Sequence, residues 1–296
     1  MRARHVFSGL LLVVLLRISA GGAERRFEVN GLVLDVDRAH GTVTISHDSI
    51  PGFMDAMVMP FRVRKARELD HVQPATLVTF TLVVTGASSY VSDIRVRPYD
   101  SVEKDPDQAR RLKALDLALK SRRSGVPELQ IGQTVPDFEL IDQNHRSVRL
   151  SDFQGKVVAM TFIYTRCPLP DYCVRLTNNF GRLQSRFRNR LGKDLILLSI
   201  TFDPEHDRPE VLANYAKVWK ADSAAWHFLT GSLPSVKEVC DRFGMNFWPD
   251  EGLFTHSLHT VVIDRQRKLA ANLEGNQFTA GQLGDLVEAW LAKSAR

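Results

Sequence analysis

Two cysteines bracket a short loop, Thr165-Arg166-Cys167-Pro168-Leu169-Pro170-Asp171-Tyr172-Cys173, and its flanks constrain the fold more than any other feature. Before it, Val157 to Tyr164 is an apolar, β-branched run that reads as a buried strand. After it, Leu176, Phe180, Leu183, Phe187 and Leu191 recur at helical spacing. Strand, cysteine loop and helix in this order predict a thioredoxin-type site for redox chemistry or metal. Both sulfurs would then lie at one end of a sheet. Five residues separate the cysteines, where the redox motif has two.

The rest of this half alternates strands and helices. Val135 to Leu140 and Ser147 to Leu150 read as a hairpin. Leu195 to Phe202 is a near-continuous apolar strand, as a sheet covered on both faces requires. Pro209 between Asp207 and Glu210 marks a helix start. Trp226 to Leu229 reads as a strand, Pro234 to Phe243 as a helix, and His259 to Asp264 with Leu269 to Leu273 as a hairpin. Thr279 with Gln282 forms a capping-box pattern before a last helix carrying Leu283, Leu286, Val287, Trp290 and Leu291. The expected architecture for 128–296 is an α/β domain of thioredoxin type.

The preceding segment is different. From Phe27 to about Val96 the pattern is all β, with strands at Val29–Val36, Thr42–Ser46, Phe61–Val63, Leu77–Val84 and Tyr90–Val96. Five short strands in so small a segment predict an OB-type barrel over 27–97. Residues 98–127 read as a linker with one helical stretch, Asp107 to Lys120.

The net charge is +5, and Arg2, Arg4 and Arg17 contribute three of these charges in residues 1–23, which contain no acid. Removing them leaves +2, close to balance, and no basic stripe interleaves with aromatics, so nucleic acid is not an expected partner. Residues 1–23 read as a secretory signal: a positive start, the short apolar run Val6 to Leu16, and small residues through Ala23. Export to a periplasm or its equivalent is expected, with membrane anchoring only if that signal stays uncleaved. The apolar run is short for a membrane span of about 20 residues. In an exported protein a cysteine pair can be oxidised or can hold metal.

Within the β segment lies His47-Asp48-Ser49-Ile50-Pro51-Gly52-Phe53-Met54-Asp55-Ala56-Met57-Val58-Met59-Pro60-Phe61. Met57 and Met59 alternate on a strand and point to one face. Thioethers suit Cu(I), and imidazole suits copper as well; core filling is the other reading of these methionines. The segment resembles the small periplasmic copper-binding proteins of the CusF type. That resemblance implies His47, Met57 and Met59 as Cu(I) ligands. The family's capping Trp falls at Met54 here. Either Met54 adds a third thioether, or Phe53 stands in as a ring, or the site has decayed.

The second half resembles the Sco/SenC family of thioredoxin-fold copper proteins. The matching stretches are Val135-Pro136-Asp137-Phe138, Val157 to Pro168, Ser199 to Glu210, and His256 ahead of Asp264. The resemblance implies Cys167, Cys173 and His256 as copper ligands, for Cu(I) or Cu(II). The family has three residues between the cysteines and a Pro after the second, whereas this chain has five and Val174. A longer loop can still close a chelate or a disulfide, because length adds little closure entropy. The helix after Cys173 is expected to lower that thiol's pKa.

The other candidates read as structural. His259 is three residues beyond His256, faces away on an extended segment, and takes a core or supporting role. His206 reads as a solvated loop residue, His227 as structural, Cys240 as a buried free thiol, and Asp203 and Asp207 as local caps. Trp248 and Pro249 either wall the site or belong to an ordinary loop. The expectation is thus an exported metallochaperone whose resemblance implies a respiratory oxidase copper centre as recipient and a thiol reductant as second partner. The alternatives are a thiol–disulfide oxidoreductase with Cys167 and Cys173 as its catalytic pair, a peroxidase on the same fold, and a plain stabilising disulfide.

Overall fold

A computed structural model of the chain describes residues 24–86, 88–97 and 126–293. The expected signal, 1–23, and the linker helix, Asp107 to Lys120, lie outside the described residues.

The first unit is a five-stranded antiparallel sheet: β1 (Arg25–Asp37), β2 (Thr42–His47), β3 (Met57–Arg62), β4 (Leu77–Val84) and β5 (Ser89–Val96), in the order β3-β2-β1-β4-β5. Val33, Ile45, Phe61, Phe80, Leu82 and Val91 supply its core. The third strand begins earlier than expected and includes Pro60. An edge strand tolerates this, because proline has no N–H to donate to the ladder. The two edges meet at one point, where Val63 forms a parallel bridge with Val91 and the Arg64 N–H donates to the Val91 carbonyl at 2.9 Å. Gly31 faces His47 in the β1–β2 register. A Cβ there would lie 2.4 Å from Ile45 Cγ2 and 2.9 Å from the Ser46 carbonyl, so only glycine lets the strands approach this closely.

The second unit is a seven-stranded mixed sheet. Its strands are β6 (Glu139–Asp142), β7 (Ser147–Arg149), β8 (Val157–Ile163), β9 (Leu195–Thr201), β10 (Trp226–Thr230), β13 (His259–Ile263) and β14 (Leu269–Glu274), in the order β14-β13-β8-β9-β10-β6-β7. β8, β9 and β10 run parallel and every residue in them is buried, as their continuous apolar runs require. Among the described residues, four helices pack on this sheet: α1 (Arg175–Arg186), α2 (Pro209–Val218), α3 (Leu233–Arg242) and α4 (Ala280–Ala292). α1 and α4 touch each other and both rest on β8. The expected capping box is present: the Gln282 N–H donates to Thr279 Oγ1 at 3.1 Å and the Thr279 N–H donates to Gln282 Oε1 at 2.9 Å. This is the α/β arrangement expected of a thioredoxin-type domain.

One element departs from expectation. Phe247 to His256 is a separate hairpin, β11 (Phe247–Asp250) paired with β12 (Leu253–His256), not a loop running into β13. Its two-residue turn places Glu251 at φ 49° and Gly252 at φ 81°. Left-handed conformation at both central residues matches the strand twist.

The two units share an interface. Leu32, Leu34 and Leu77 from the first sheet join the core of the second unit. At the end of β2, Ser46 Oγ donates to Asp285 Oδ2 on α4 at 2.7 Å. Gln282 Nε2 donates to Asp48 Oδ1 at 3.1 Å. Arg186 on α1 pairs with the same Asp285 at 2.8 Å. The residues flanking His47 are therefore clamped to the last helix.

Candidate metal centre

The loop that follows β8 leaves the sheet at Tyr164. It is anchored at its first residue. The Thr165 N–H and hydroxyl donate to the Asp207 carboxylate at 2.9 and 2.5 Å, and the Thr201 hydroxyl donates to it at 2.6 Å. Arg166 donates two hydrogen bonds to Asp203, at 2.7 and 3.1 Å, and a third to the Gly252 carbonyl at 3.3 Å. Asp203 and Asp207 are therefore not simple caps of their own loop. They reach across from the end of β9 and pin the start of the cysteine loop, and Arg166 ties that loop to the β11–β12 turn. His206 is half exposed, yet its Nδ1 lies 3.1 Å from Asp207.

The extra residues between the cysteines do not form a flap. Pro170–Val174 is one wide, π-type turn that runs into α1, with Tyr172 outside helical geometry. A wide turn absorbs inserted residues while leaving the following helix in register. The turn is held at both ends. Asn276 Nδ2 donates to the Asp171 carbonyl, and Thr177 Oγ1 donates to the Cys173 carbonyl at 2.8 Å.

This brings three expected residues together. Cys167 Sγ, Cys173 Sγ and a ring nitrogen of His256 all lie within 4.8 Å of one another. Cys167 is partly exposed, Cys173 is fully buried, and both are thiols. His256, 6% exposed, sits at the end of β12. Its Nδ1 lies 2.7 Å from the Ser257 carbonyl. A carbonyl can only accept, so Nδ1 carries the proton and Nε2 holds the free lone pair. The rings of Phe202, Tyr164 and Tyr172 surround the imidazole, with centroids 4.8, 5.7 and 6.0 Å away. A cleft of ≈ 250 Å³ opens onto His256 between Tyr164, Leu169, Tyr172 and Phe254. Trp248 and Pro249 do not line it; the wall at that position comes from Leu253 and Phe254 on the partner strand.

The two thiols differ electrostatically. The hydrogen bond from the Cys173 thiol holds the Cys167 thiol down at about 4. Burial pushes the Cys173 thiol well up, and the neighbouring Cys167 adds to this. The expectation that the helix start would favour a Cys173 thiolate is thus reversed. At complete burial, loss of hydration outweighs what nearby amides supply. Iodoacetamide at pH 6 is expected to alkylate Cys167 in the reduced, metal-free protein, leaving Cys173 and the buried Cys240 unmodified on the same timescale. Peptide mass mapping reads the result, and preferential labelling of Cys173 would contradict this assignment.

The remaining histidines fall as their surroundings dictate. His259 is buried, with Nδ1 3.0 Å from Asn272 Oδ1. His227 is buried and faces Asp142 at 3.4 Å. Cys240 is fully buried in the core.

In the first unit, β2 and β3 pair His47 with Met57 and Ile45 with Met59, which puts His47, Met57 and Met59 on one face. His47 is 1% exposed, and Met57 is 48% exposed at the edge. His47 repeats the device seen at His256: its Nδ1 donates to the carbonyl of the next residue, Asp48, at 2.7 Å. Its Nε2 is buried with no hydrogen-bond partner. A buried acceptor without a partner suits a ligand atom held ready. Phe53 is engaged elsewhere, stacked on Phe27 at 4.6 Å with Arg25 over both rings. Met54 packs on the core of the sheet.

Two thiols and an imidazole, gathered at one end of a mixed α/β sheet, define a thiol or soft-metal centre on a thioredoxin-type scaffold. The SCO1/SenC family model matches residues 127–291, more than half of the chain, and the chain belongs to that family. A second model, described as copper binding periplasmic protein CusF, matches residues 26–96. A SCO2-like protein of Rickettsia typhi is 31% identical over 148 residues, 47% of this chain and 68% of the relative. Protein sco1 of Schizosaccharomyces pombe is 29% identical over 139 residues, 44% of this chain and 51% of the relative. A putative copper-binding protein of Stutzerimonas stutzeri is 27% identical over 117 residues, 40% of this chain and 55% of the relative. The chain thus spans between half and about two thirds of these relatives' length. Among the described residues, no helix is long and apolar enough to cross a membrane.

Proposed function

We propose that this chain is an exported copper-binding protein that holds copper at two sites and hands it on. Cys167, Cys173 and His256 form the site in the second domain, 128–296. His47, Met57 and Met59 form the site in the first, an OB-type barrel over 27–97 joined by the linker 98–127. The observation that carries this reading is the convergence of two sulfurs and an imidazole nitrogen within 4.8 Å at the mouth of a cleft. Thiolates and imidazole in a low-coordination set suit copper, and the thioether-rich first site suits Cu(I). Membership of the SCO1/SenC family and the match to a copper-binding model at 26–96 both support it. So does likeness to a relative named as a putative copper-binding protein. The parallel bridge from Val63 to Val91 supports the barrel. The recipient we infer is a copper centre of a respiratory oxidase, and the compartment is the periplasm or its equivalent, reached through the leader at 1–23.

A second reading rests on the contrast between the thiols. A low-pKa, partly exposed Cys167 beside a buried Cys173 is the layout of an attacking and a resolving thiol, so thiol–disulfide exchange with a partner is the alternative. The pair must in any case be reduced before it can hold metal, which requires a thiol reductant. One experiment separates the two. The copper-loaded chain is mixed with the apo soluble domain of an oxidase copper subunit, and metal is assayed on each after separation. Net movement of copper onto that domain is expected. Reduction of a disulfide in the recipient with no copper moved would instead favour the oxidoreductase.

A further inference from the structure

His47 is the last residue of β2, where the ladder ends. Its ring is directed through Asp48, whose carbonyl accepts from Nδ1 at 2.7 Å. The direction of the imidazole therefore depends on how the backbone on either side of it is held. Alternation along β2 sends Ile45 and His47 into the first sheet's own core, where His47 meets the Phe61 ring at 5.8 Å. Ser46 turns the other way. It pairs with Leu32, which is buried in the core of the second unit. The strand that carries His47 is thus built against the second unit along its outer side.

One buried side chain of the second unit reaches both neighbours of His47. Gln282 Nε2 donates to the Asp48 carboxylate at 3.1 Å and to the Ser46 carbonyl at 3.4 Å. Gln282 Oε1 accepts from the Thr279 N–H at 2.9 Å, which fixes the end of the amide that faces Asp48. One turn further along α4, Asp285 accepts from the Ser46 hydroxyl at 2.7 Å and is itself held by Arg186 at 2.8 Å. A capping box takes glutamate as readily as glutamine at the position of Gln282. The contact with Asp48 does not, because a glutamate has no N–H to donate and would set one carboxylate against another. The first unit, not the helix being capped, accounts for a glutamine here.

We propose that Gln282 is a positioning residue for the copper site of the first domain. Through Asp48 and Ser46 it holds the backbone that directs His47, so the second domain completes a site whose ligands all lie in the first. Partners outside the ligand set matter in this way because they fix the orientation of a ligating ring. The proposal rests on the reading of His47, Met57 and Met59 as copper ligands.

Cu(I) affinity is measured by chelator competition on the full chain carrying Cys167→Ser/Cys173→Ser, so that only the first site is read. Adding Gln282→Glu should weaken binding by about tenfold, the lower end of what losing an outer partner costs a metal site. The capping box survives this change, so helical content by circular dichroism should stay the same. Adding Asp48→Asn as well supplies an N–H donor from the opposite side of the contact. It should restore most of the affinity, which a role in packing alone would not allow. Asp48→Ala by itself should cost about as much as Gln282→Glu, so the contact is tested from both partners even if one variant folds poorly. Unchanged affinity in either single variant, once folded, would overturn the proposal, as would a loss that Asp48→Asn leaves in place. A background chain that holds no Cu(I) would withdraw the first site itself and the proposal with it, a result visible before any change at Gln282.

Discussion

His256→Ala is expected to weaken copper retention at the cysteine site by at least about a hundredfold while leaving the His47 site untouched. The loss of a supporting residue alone costs metal sites roughly 10–100-fold, so removing a ligand should cost no less. The geometry argues for a large effect. The imidazole is pre-set: Nδ1 is bonded to Ser257, Nε2 is left with its lone pair, and three aromatic rings hold the plane. Among the described residues no second histidine joins the two sulfurs, and His259 is engaged with Asn272. Competition against a Cu(I) chelator reads the affinity, and circular dichroism checks the fold. An unchanged affinity would remove His256 from the site. It would also leave the two sulfurs as a redox pair that binds metal only incidentally.

The second large effect concerns a residue that never touches copper in this account. Asp207→Ala is expected to destabilise the second domain by about 3–5 kcal/mol, because a fully buried carboxylate with several donors is removed. The Thr165 N–H, the Thr165 hydroxyl and the Thr201 hydroxyl lose their acceptor, and each unmet buried donor costs about 1–3 kcal/mol. Thr165 also starts the cysteine loop, so the same change should loosen the sulfur pair and slow copper loading. Asp207→Asn keeps the shape but accepts fewer hydrogen bonds, and should fall between the two proteins. Urea denaturation monitored by tryptophan fluorescence gives the midpoints. A loss below about 1 kcal/mol for Asp207→Ala would mean that water takes over the carboxylate's role.

How far the sequence reads depends on the kind of interaction. Strands β8 and β9 were legible because a sheet covered on both faces demands unbroken apolar runs, and 157–163 and 195–201 are such runs. The Thr279–Gln282 box was legible because it is local, four residues long and chemically specific. The common face of Met57 and Met59 follows from strand alternation alone, and β3 carries it. The clamp of Asp207 on Thr165 was not legible, since it links residues 42 apart in sequence through side-chain oxygens, which leave no periodic trace. The same holds for the docking of Ser46 and Asp48 on Gln282 and Asp285, across more than 200 residues. Cys173 was misread for another reason. Its position before a helix is visible in the chain, but its complete burial is not, and burial sets the sign of its pKa shift. The β11–β12 hairpin did leave a signal, the Asp250-Glu251-Gly252-Leu253 turn between aromatic residues. A glycine-containing two-residue turn flanked by Phe247 and Phe254 is a hairpin pattern.

The most direct test is a count of copper ions held per reduced mature chain against a competing chelator. It compares the unaltered protein with Cys167→Ser/Cys173→Ser and with Met57→Leu/Met59→Leu. The account predicts two ions in the unaltered chain, with one lost in each double variant. A single ion indifferent to the cysteines would confine copper to the first domain and turn the second to thiol exchange, and no tightly held copper at all would contradict the central claim outright.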